Sequence, residues 1–315
     1  MTSARSRRLA GNQAPSAFSS VWRMFGLVFF LSLALTIFIL FRQRRWEGNH
    51  QRAVLLVHEG QDEVRQALTI VVLKPEKKVQ VLPIPSKQVI ETPLDYGSFS
   101  SDALVGLTQL ENLQWEFLTY TLSLEFGVGI DGIIWTKDEQ VNQLSQLKKL
   151  AFMSILNQRP TTMAFWDRLK LGQTLQQVPS YQFELVDVNI YLDEASNRLD
   201  KTRYDRWAEL YLQDAEIRGS DFSLVVQNAT SVNGYATRVG RMLGLMGYYV
   251  RGLETVEEDS GTTLYITKGN LVWPGDRLRN FFSALPQKRD DQLPQEKRTN
   301  AVLRLGNDQK EWYRR

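Results

Sequence analysis

Cysteine is absent from the 315 residues of this chain, and histidine occurs only at His50 and His58. The first absence excludes disulfides, thiolate metal sites and cysteine nucleophiles. It also suits an oxidising compartment. No Gly-x-Ser-x-Gly elbow occurs, and a serine triad would lack a well-placed base. No carboxylate cluster completes a ligand set around either histidine, so no metal and no cofactor are expected. Basic charge is scarce where a nucleic-acid reader would need it. The net charge is +3, yet residues 1–52 hold eight arginines and one acid, Glu47, a balance of +7 that leaves −4 for residues 53–315. A nucleic-acid reader would need a basic face on the folded body, none is visible in that balance, and no nucleic-acid partner is expected.

What the chain does have is one long apolar run. Met24 to Phe41, MFGLVFFLSLALTIFILF, is eighteen residues without a charge. As a helix it covers roughly 27 Å, close to the hydrocarbon thickness of a bilayer. Trp22 and Trp46 flank it, where indole rings favour the membrane interface. A soluble core helix rarely avoids every charge for five turns. A cleaved signal peptide is disfavoured because RQRRW follows the run instead of a small-residue cleavage site. The expectation is a single transmembrane helix over 24–41. Arg5, Arg7, Arg8 and Arg23 precede it and Arg42, Arg44, Arg45 and Arg52 follow it, so the charges alone leave its orientation open.

Beyond the run, Ala53–Val57, Ala67–Leu73 and Val79–Ile84 read as strands, with Lys74-Pro75-Glu76-Lys77-Lys78 as the turn between the last two. Leu104, Leu107, Leu110, Leu113, Phe117 and Leu118 recur by threes and fours and predict a helical stretch. A strand over Ile130–Trp135 leads to a polar helix from Lys137 to about Leu156. Residues 160–180 are ambiguous; Tyr181–Asp187 reads as a strand and Lys201–Ile217 as an exposed-faced helix. In the last third, strands over Phe222–Gln227, Tyr248–Leu253, Leu264–Thr267 and Ala301–Leu305 enclose two helices, Gly234–Met246 and one from Pro274 to about Ala284. Gly247 supplies the stop of the first and Pro274 the start of the second. Gln287–Arg298, charged and without apolar period, reads as a solvated loop. Alternating strands and helices make the fold class α/β, closing with a small α+β unit of order β-α-β-β-α-β.

Two strings invite chemistry. Gly127-x-Gly129-x-x-Gly132 has the dinucleotide spacing, but it enters a strand instead of leaving one, which the pyrophosphate geometry does not allow. Asn228-Ala-Thr-Ser-Val-Asn-Gly234 runs from a strand end to a helix start. Unpaired N–H groups there favour an anion. Plain capping and turn formation by Asn, Thr and Ser is the competing account.

The segment Phe222-Ser-Leu-Val-Val-Gln-Asn-Ala-Thr-Ser-Val-Asn-Gly-Tyr-Ala-Thr-Arg-Val, with Tyr248–Leu253 and Ala301-Val-Leu-Arg-Leu-Gly, resembles the LytR C-terminal domain over about residues 220–308. Leu55-Leu-Val-His-Glu-Gly-Gln-Asp, Leu68–Lys74, Val81-Leu-Pro-Ile-Pro and Gly127-Val-Gly-Ile-Asp-Gly-Ile-Ile-Trp resemble strands of the LytR-CpsA-Psr family. The resemblance implies a cytoplasmic N-terminus (1–23), the transmembrane helix (24–41), an α/β layered domain (53–190), a helical linker (191–219), a LytR C-terminal-like domain (220–308) and a tail (309–315), with the globular part outside the cytoplasmic membrane. Family enzymes transfer an undecaprenyl-pyrophosphate-linked glycopolymer to the cell wall, with arginines on the pyrophosphate and aspartates around Mg²⁺. Here Ser86-Lys87 stands where the family has Arg-Asp, and Arg65-Gln66-Ala67 where it has Arg-x-Asp. The retained charges are Asp62, Arg65 and Lys87, too few for the charge neutralisation such chemistry needs. The resemblance therefore implies a degenerate, non-catalytic binding or scaffold protein of the cell envelope. Its implied partners are the membrane through Met24–Phe41, a cell-wall polymer, a polyprenyl-linked precursor or a catalytically complete relative. Candidate ligand-binding residues are Asp62, Arg65, Lys87, Asn228, Thr230, Asn233 and Gly234. The alternative is a divergent phosphotransferase using Asp62, Arg65 and Lys87 with Mg²⁺.

Overall fold

In the computed structural model, the described residues are Phe25, 27–32, Leu35, 50–58, 66–93, 96–137, 141–156, Gln158, 160–266, 273–282, 287–288 and 299–308. Residues 1–44 and 45–315 form two compact units. In the first unit the described residues are helical and exposed. Most of the expected span 24–41 lies outside the described residues, and among those described no helix is long and apolar enough to cross a membrane.

The second unit is mixed α/β, built on two five-stranded sheets. The first has the order β6-β1-β2-β3-β7, from Arg52–His58 (β1), Ala67–Leu73 (β2), Val79–Ile84 (β3), Ile130–Thr136 (β6) and Phe183–Leu185 (β7). β1 is antiparallel to β2 and parallel to β6; β2 and β3 are antiparallel, β3 and β7 parallel. Strand β1 is buried along its whole length because both faces are covered, the physical reason its central run Ala53–Val57 is continuously apolar. One face packs Leu55, Val57, Ile70 and Leu82 against helices α1 (Leu104–Leu110), α2 (Trp115–Phe126) and α5 (Lys201–Tyr211). The other packs Val54, Leu56, Val71 and Ile134 against α3 (Leu144–Ile155) and α4 (Phe165–Gln176).

The second sheet has the order β11-β10-β12-β8-β9, from Ser223–Asn228 (β8), Tyr249–Thr255 (β9), Thr263–Ile266 (β10), Gln287–Lys288 (β11) and Ala301–Leu305 (β12). Helices α7 (Tyr235–Leu245) and α8 (Trp273–Phe281) contribute Val239, Leu243 and Leu278 to its core beside Leu224 and Leu303. Helix α2 serves both sheets. Phe117, Tyr120 and Leu124 enter this core, while Leu118, Leu122 and Phe126 enter the first. A helix buried on nearly every side has no polar face to show in its sequence.

Several expectations are corrected. The helical stretch from Leu104 breaks into α1 and α2 around Asn112, whose φ of +50° is left-handed and ends a helix. The helix expected from Lys137 starts at Leu144, where Gln146 Oε1 accepts from the Asn142 and Gln143 amides (2.8 and 3.1 Å). The single helix expected over Lys201–Ile217 is two, α5 and α6 (Ala215–Gly219), because Asp214 caps a new start. Within the expected loop Gln287–Arg298, Gln287 and Lys288 pair with Leu264 and Tyr265. A short hairpin, β4 (Val89–Glu91) with β5 (Ser98–Ser100), was not legible.

Candidate functional site

The strand ends of the first sheet converge on one edge. Register places His58 at the end of β1 opposite Ala67 at the start of β2 and beside Thr136 at the end of β6. Leu68 in turn faces Ile84, the end of β3. Asp62 and Arg65 belong to the connection from His58 to Ala67 and lie outside the described residues. Lys87 sits in the turn that follows Ile84 and is exposed.

That turn is fixed from several sides. The Gln88 amide N–H donates to Pro85 O (2.9 Å), and the Ser101 hydroxyl donates to the same oxygen (2.6 Å). The Ser101 amide donates to Gln88 O (2.9 Å), and the Asp102 amide to Ser86 O (3.4 Å). Behind the exposed Lys87, the Gln88 side chain is 0% exposed, and neither its Nε2 nor its Oε1 has a hydrogen-bond partner among the described residues. An unmet buried amide carries a desolvation cost of about 1–3 kcal/mol per group. On the opposite face, buried His58 Nε2 lies 3.0 Å from Thr69 Oγ1. The edge thus presents one exposed cation, Lys87, in front of a wholly buried amide, Gln88. Among the described residues no group of three or more His, Cys, Asp or Glu could hold a metal ion.

Asn228, Thr230, Asn233 and Gly234 lie elsewhere, in the loop from β8 to α7. The Asn228 amide is occupied by the loop itself: its Nδ2 donates to Val232 O (2.8 Å), and its Oδ1 accepts from the Thr230 amide (3.1 Å) and hydroxyl (2.7 Å). Thr230 Oγ1 also accepts from the Val232 amide (3.1 Å). Asn233 and Gly234 are exposed, and Gly234 precedes α7 with φ +73°. These bonds are those of a self-contained turn and helix entry.

The glycine string has a packing role. Gly127 ends α2 in the left-handed region (φ +64°), and a Cβ there would lie 2.4 Å from Leu245 Cβ. A Cβ on Gly129 would meet Met246 at 2.8 Å, and one on Gly132 would meet Met163 at 2.4 Å.

The strongest electrostatic features escaped the sequence reading. Asp214, 1% exposed, accepts from the Gln51 amide (3.2 Å) and from Arg277 Nη1 (2.7 Å), while its other oxygen caps α6 through the Glu216 and Ile217 amides (3.0 and 3.4 Å). His50 pairs with Glu216 nearby; burial lowers its pKa, and Glu216 opposes that shift. Glu125, 5% exposed near the end of α2, has its pKa raised by burial, against the pull of Lys201, Arg241 and Arg238. Nothing local in the sequence marks either site, since Asp214 and Arg277 stand 63 positions apart.

No family model matches the chain. No curated protein matches it either. Among solved structures, the Lin1025 protein of Listeria innocua is similar at 12% identity and a TM-score of 0.35, over 51% of this chain and 95% of that one. TagU of B. subtilis is similar at 10% identity and a TM-score of 0.23, over 68% and 86%. A transcriptional regulator of Enterococcus faecalis is similar at 8% identity and a TM-score of 0.23, over 75% and 88%.

Proposed function

We propose that the chain is a membrane-anchored cell-envelope protein that binds a cell-wall glycopolymer, or its polyprenyl-linked precursor, without transferring it. The observation that carries this reading is Ser86-Lys87 at the end of β3, where the resemblance to the LytR-CpsA-Psr family expects Arg-Asp. A single ammonium on a flexible stem can hold an anionic group. It does not supply the opposed charges that steady a phosphoryl group in transfer. The uncharged run Met24–Phe41 supports anchoring, and the resemblance supports a body on the extracytoplasmic side.

The test uses the full chain in lipid nanodiscs, given a lipid-linked glycopolymer, peptidoglycan acceptor and Mg²⁺. Binding without release of polyprenyl phosphate is expected, and Lys87→Glu should weaken it. Turnover would overturn the reading and favour a divergent phosphotransferase. Loss of that turnover in Asp62→Ala and Arg65→Ala would then assign the catalytic groups.

A further inference from the structure

Helices α3 and α4 form an antiparallel pair over one face of the first sheet. Arg168 Nη1 donates to Ser154 O (2.5 Å), and Ile155 closes on Gly172. At the end where α3 finishes and α4 begins, large apolar side chains point away from the core. Phe152 is 58% exposed, Leu156 51% and Phe165 39%, with Met153, Ile155 and Trp166 half-buried beside them in the chain. Phe152 and Leu156 are four residues apart and share a helix face with exposed Lys149.

The charge of the sequence that carries this pair departs from the rest of the body. Between Val141 and Phe183 the sequence carries Lys148, Lys149, Arg159, Arg168 and Lys170 against one acid, Asp167, a balance of +4 within a body of −4. Lys149 and Lys170 are exposed, Lys148 and Arg168 are half-buried, and the one acid, Asp167, is buried. Exposed Phe and Leu bordered by exposed lysines is the composition of a segment that lies in a bilayer interface. The apolar groups enter the acyl boundary, and the long basic side chains reach back to the headgroups.

We infer that the α3–α4 tip is a membrane-docking surface whose occupant is the headgroup region of an anionic bilayer. The inference rests on the anchored reading above, because a tethered body meets the bilayer at high effective concentration. A docked tip would restrain the body at the membrane surface.

The lack of cysteine makes the test direct. Leu156→Cys or Phe152→Cys gives a unique attachment point for an environment-sensitive fluorophore, and Tyr181→Cys, at a residue 85% exposed beyond the other end of α4, gives the control. Each full-length chain is placed in nanodiscs of phosphatidylglycerol or phosphatidylcholine carrying nitroxide lipids. In phosphatidylglycerol the labels at 156 and 152 should be quenched and blue-shifted, the label at 181 should not, and Lys149→Glu with Lys170→Glu should abolish the effect. Labels at 156 and 152 that stay unquenched in a chain that enters the discs would overturn the docking surface alone. Equal quenching at 181 would also overturn it, as would a blue shift without lipid quenching, which would mean a protein covers the tip. A chain that fails to enter the discs overturns the anchor and the docking surface together.

Discussion

Replacing Asp214 with alanine would remove the carboxylate on which four contacts converge: the Arg277 guanidinium, the Gln51 amide and the two first-turn amides of α6. Both charged side chains are out of water, with exposures of 2% for Asp214 and 8% for Arg277. Breaking a buried pair from one side costs roughly 3–5 kcal/mol, because the remaining charge has lost its counter-ion. Loss of a helix cap contributes about 1 kcal/mol, part of which overlaps with the first figure. The expected destabilisation is about 4 kcal/mol, a drop in melting temperature on the order of 10 °C for a body of this size. Urea unfolding followed by far-UV circular dichroism reads it as a shift in midpoint at unchanged slope. If the stranded guanidinium is the cause, Asp214→Ala with Arg277→Met should be more stable than Asp214→Ala alone. A single-variant loss under about 0.5 kcal/mol, or strict additivity in the cycle, would refute the assignment of this pair as a buried lock.

Glu125→Gln should stabilise the body near neutral pH. A carboxyl whose folded pKa lies above its unfolded value binds its proton more tightly when folded, so its contribution is fully present below the unfolded value near 4.5 and is lost as pH rises. The advantage of the amide should therefore be largest at pH 7–8 and fade toward pH 4.5, which melting temperatures of both proteins across that range would show. Gly247→Ala should cost more than about 1 kcal/mol, since a side chain is strained at φ +106° and its Cβ would stand 3.0 Å from Asp214 O. A fragment of residues 220–308 should lack a cooperative melt, because Leu113, Phe117, Tyr120 and Leu124 supply one side of its core; a sharp transition in calorimetry would count against this.

Elements whose identity rests on local composition were legible. Ala67–Leu73 and Val79–Ile84 form strands with the expected ends, because each is a β-branched-rich run bounded by turn residues. Gly247 stops α7 as its position suggested, in the positive-φ conformation that glycine permits. The merged helices failed for a definable reason. Apolar spacing by threes and fours continues from Leu110 through Leu113 to Phe117, so periodicity alone does not reveal that Asn112 turns left-handed between them. The hairpin of β4 and β5 has three residues per strand, too short for alternation to register. At the candidate site, the sequence placed Lys87 just after the strand that ends at Ile84 but gave no sign that the next residue, Gln88, is wholly buried. Glu125 reads as an ordinary polar position on a helix. In the fold it is buried, with Lys201, Arg241 and Arg238 near it from helices that follow much later in the chain.

The arginines of the last third bear on the proposed function. Arg238, Arg241 and Arg277 are three of them. In the fold each is turned to a group that precedes the second sheet in the chain. Arg238 donates to the carbonyls of Glu91 and Thr92 (2.7 and 3.0 Å). Arg241 forms a two-point pair with Asp205 (2.5 and 2.8 Å) and donates to the carbonyls of Leu124 and Glu125 at the end of α2 (3.0 Å each). Arg277 meets Asp214. A guanidinium so engaged has its fork geometry committed to the protein, and recruiting it for a ligand would break contacts that join the two sheets. These three arginines therefore fasten α7 and α8 to β4, α2, α5 and the start of α6. The grip on an anionic ligand proposed for Lys87 would have to do without them.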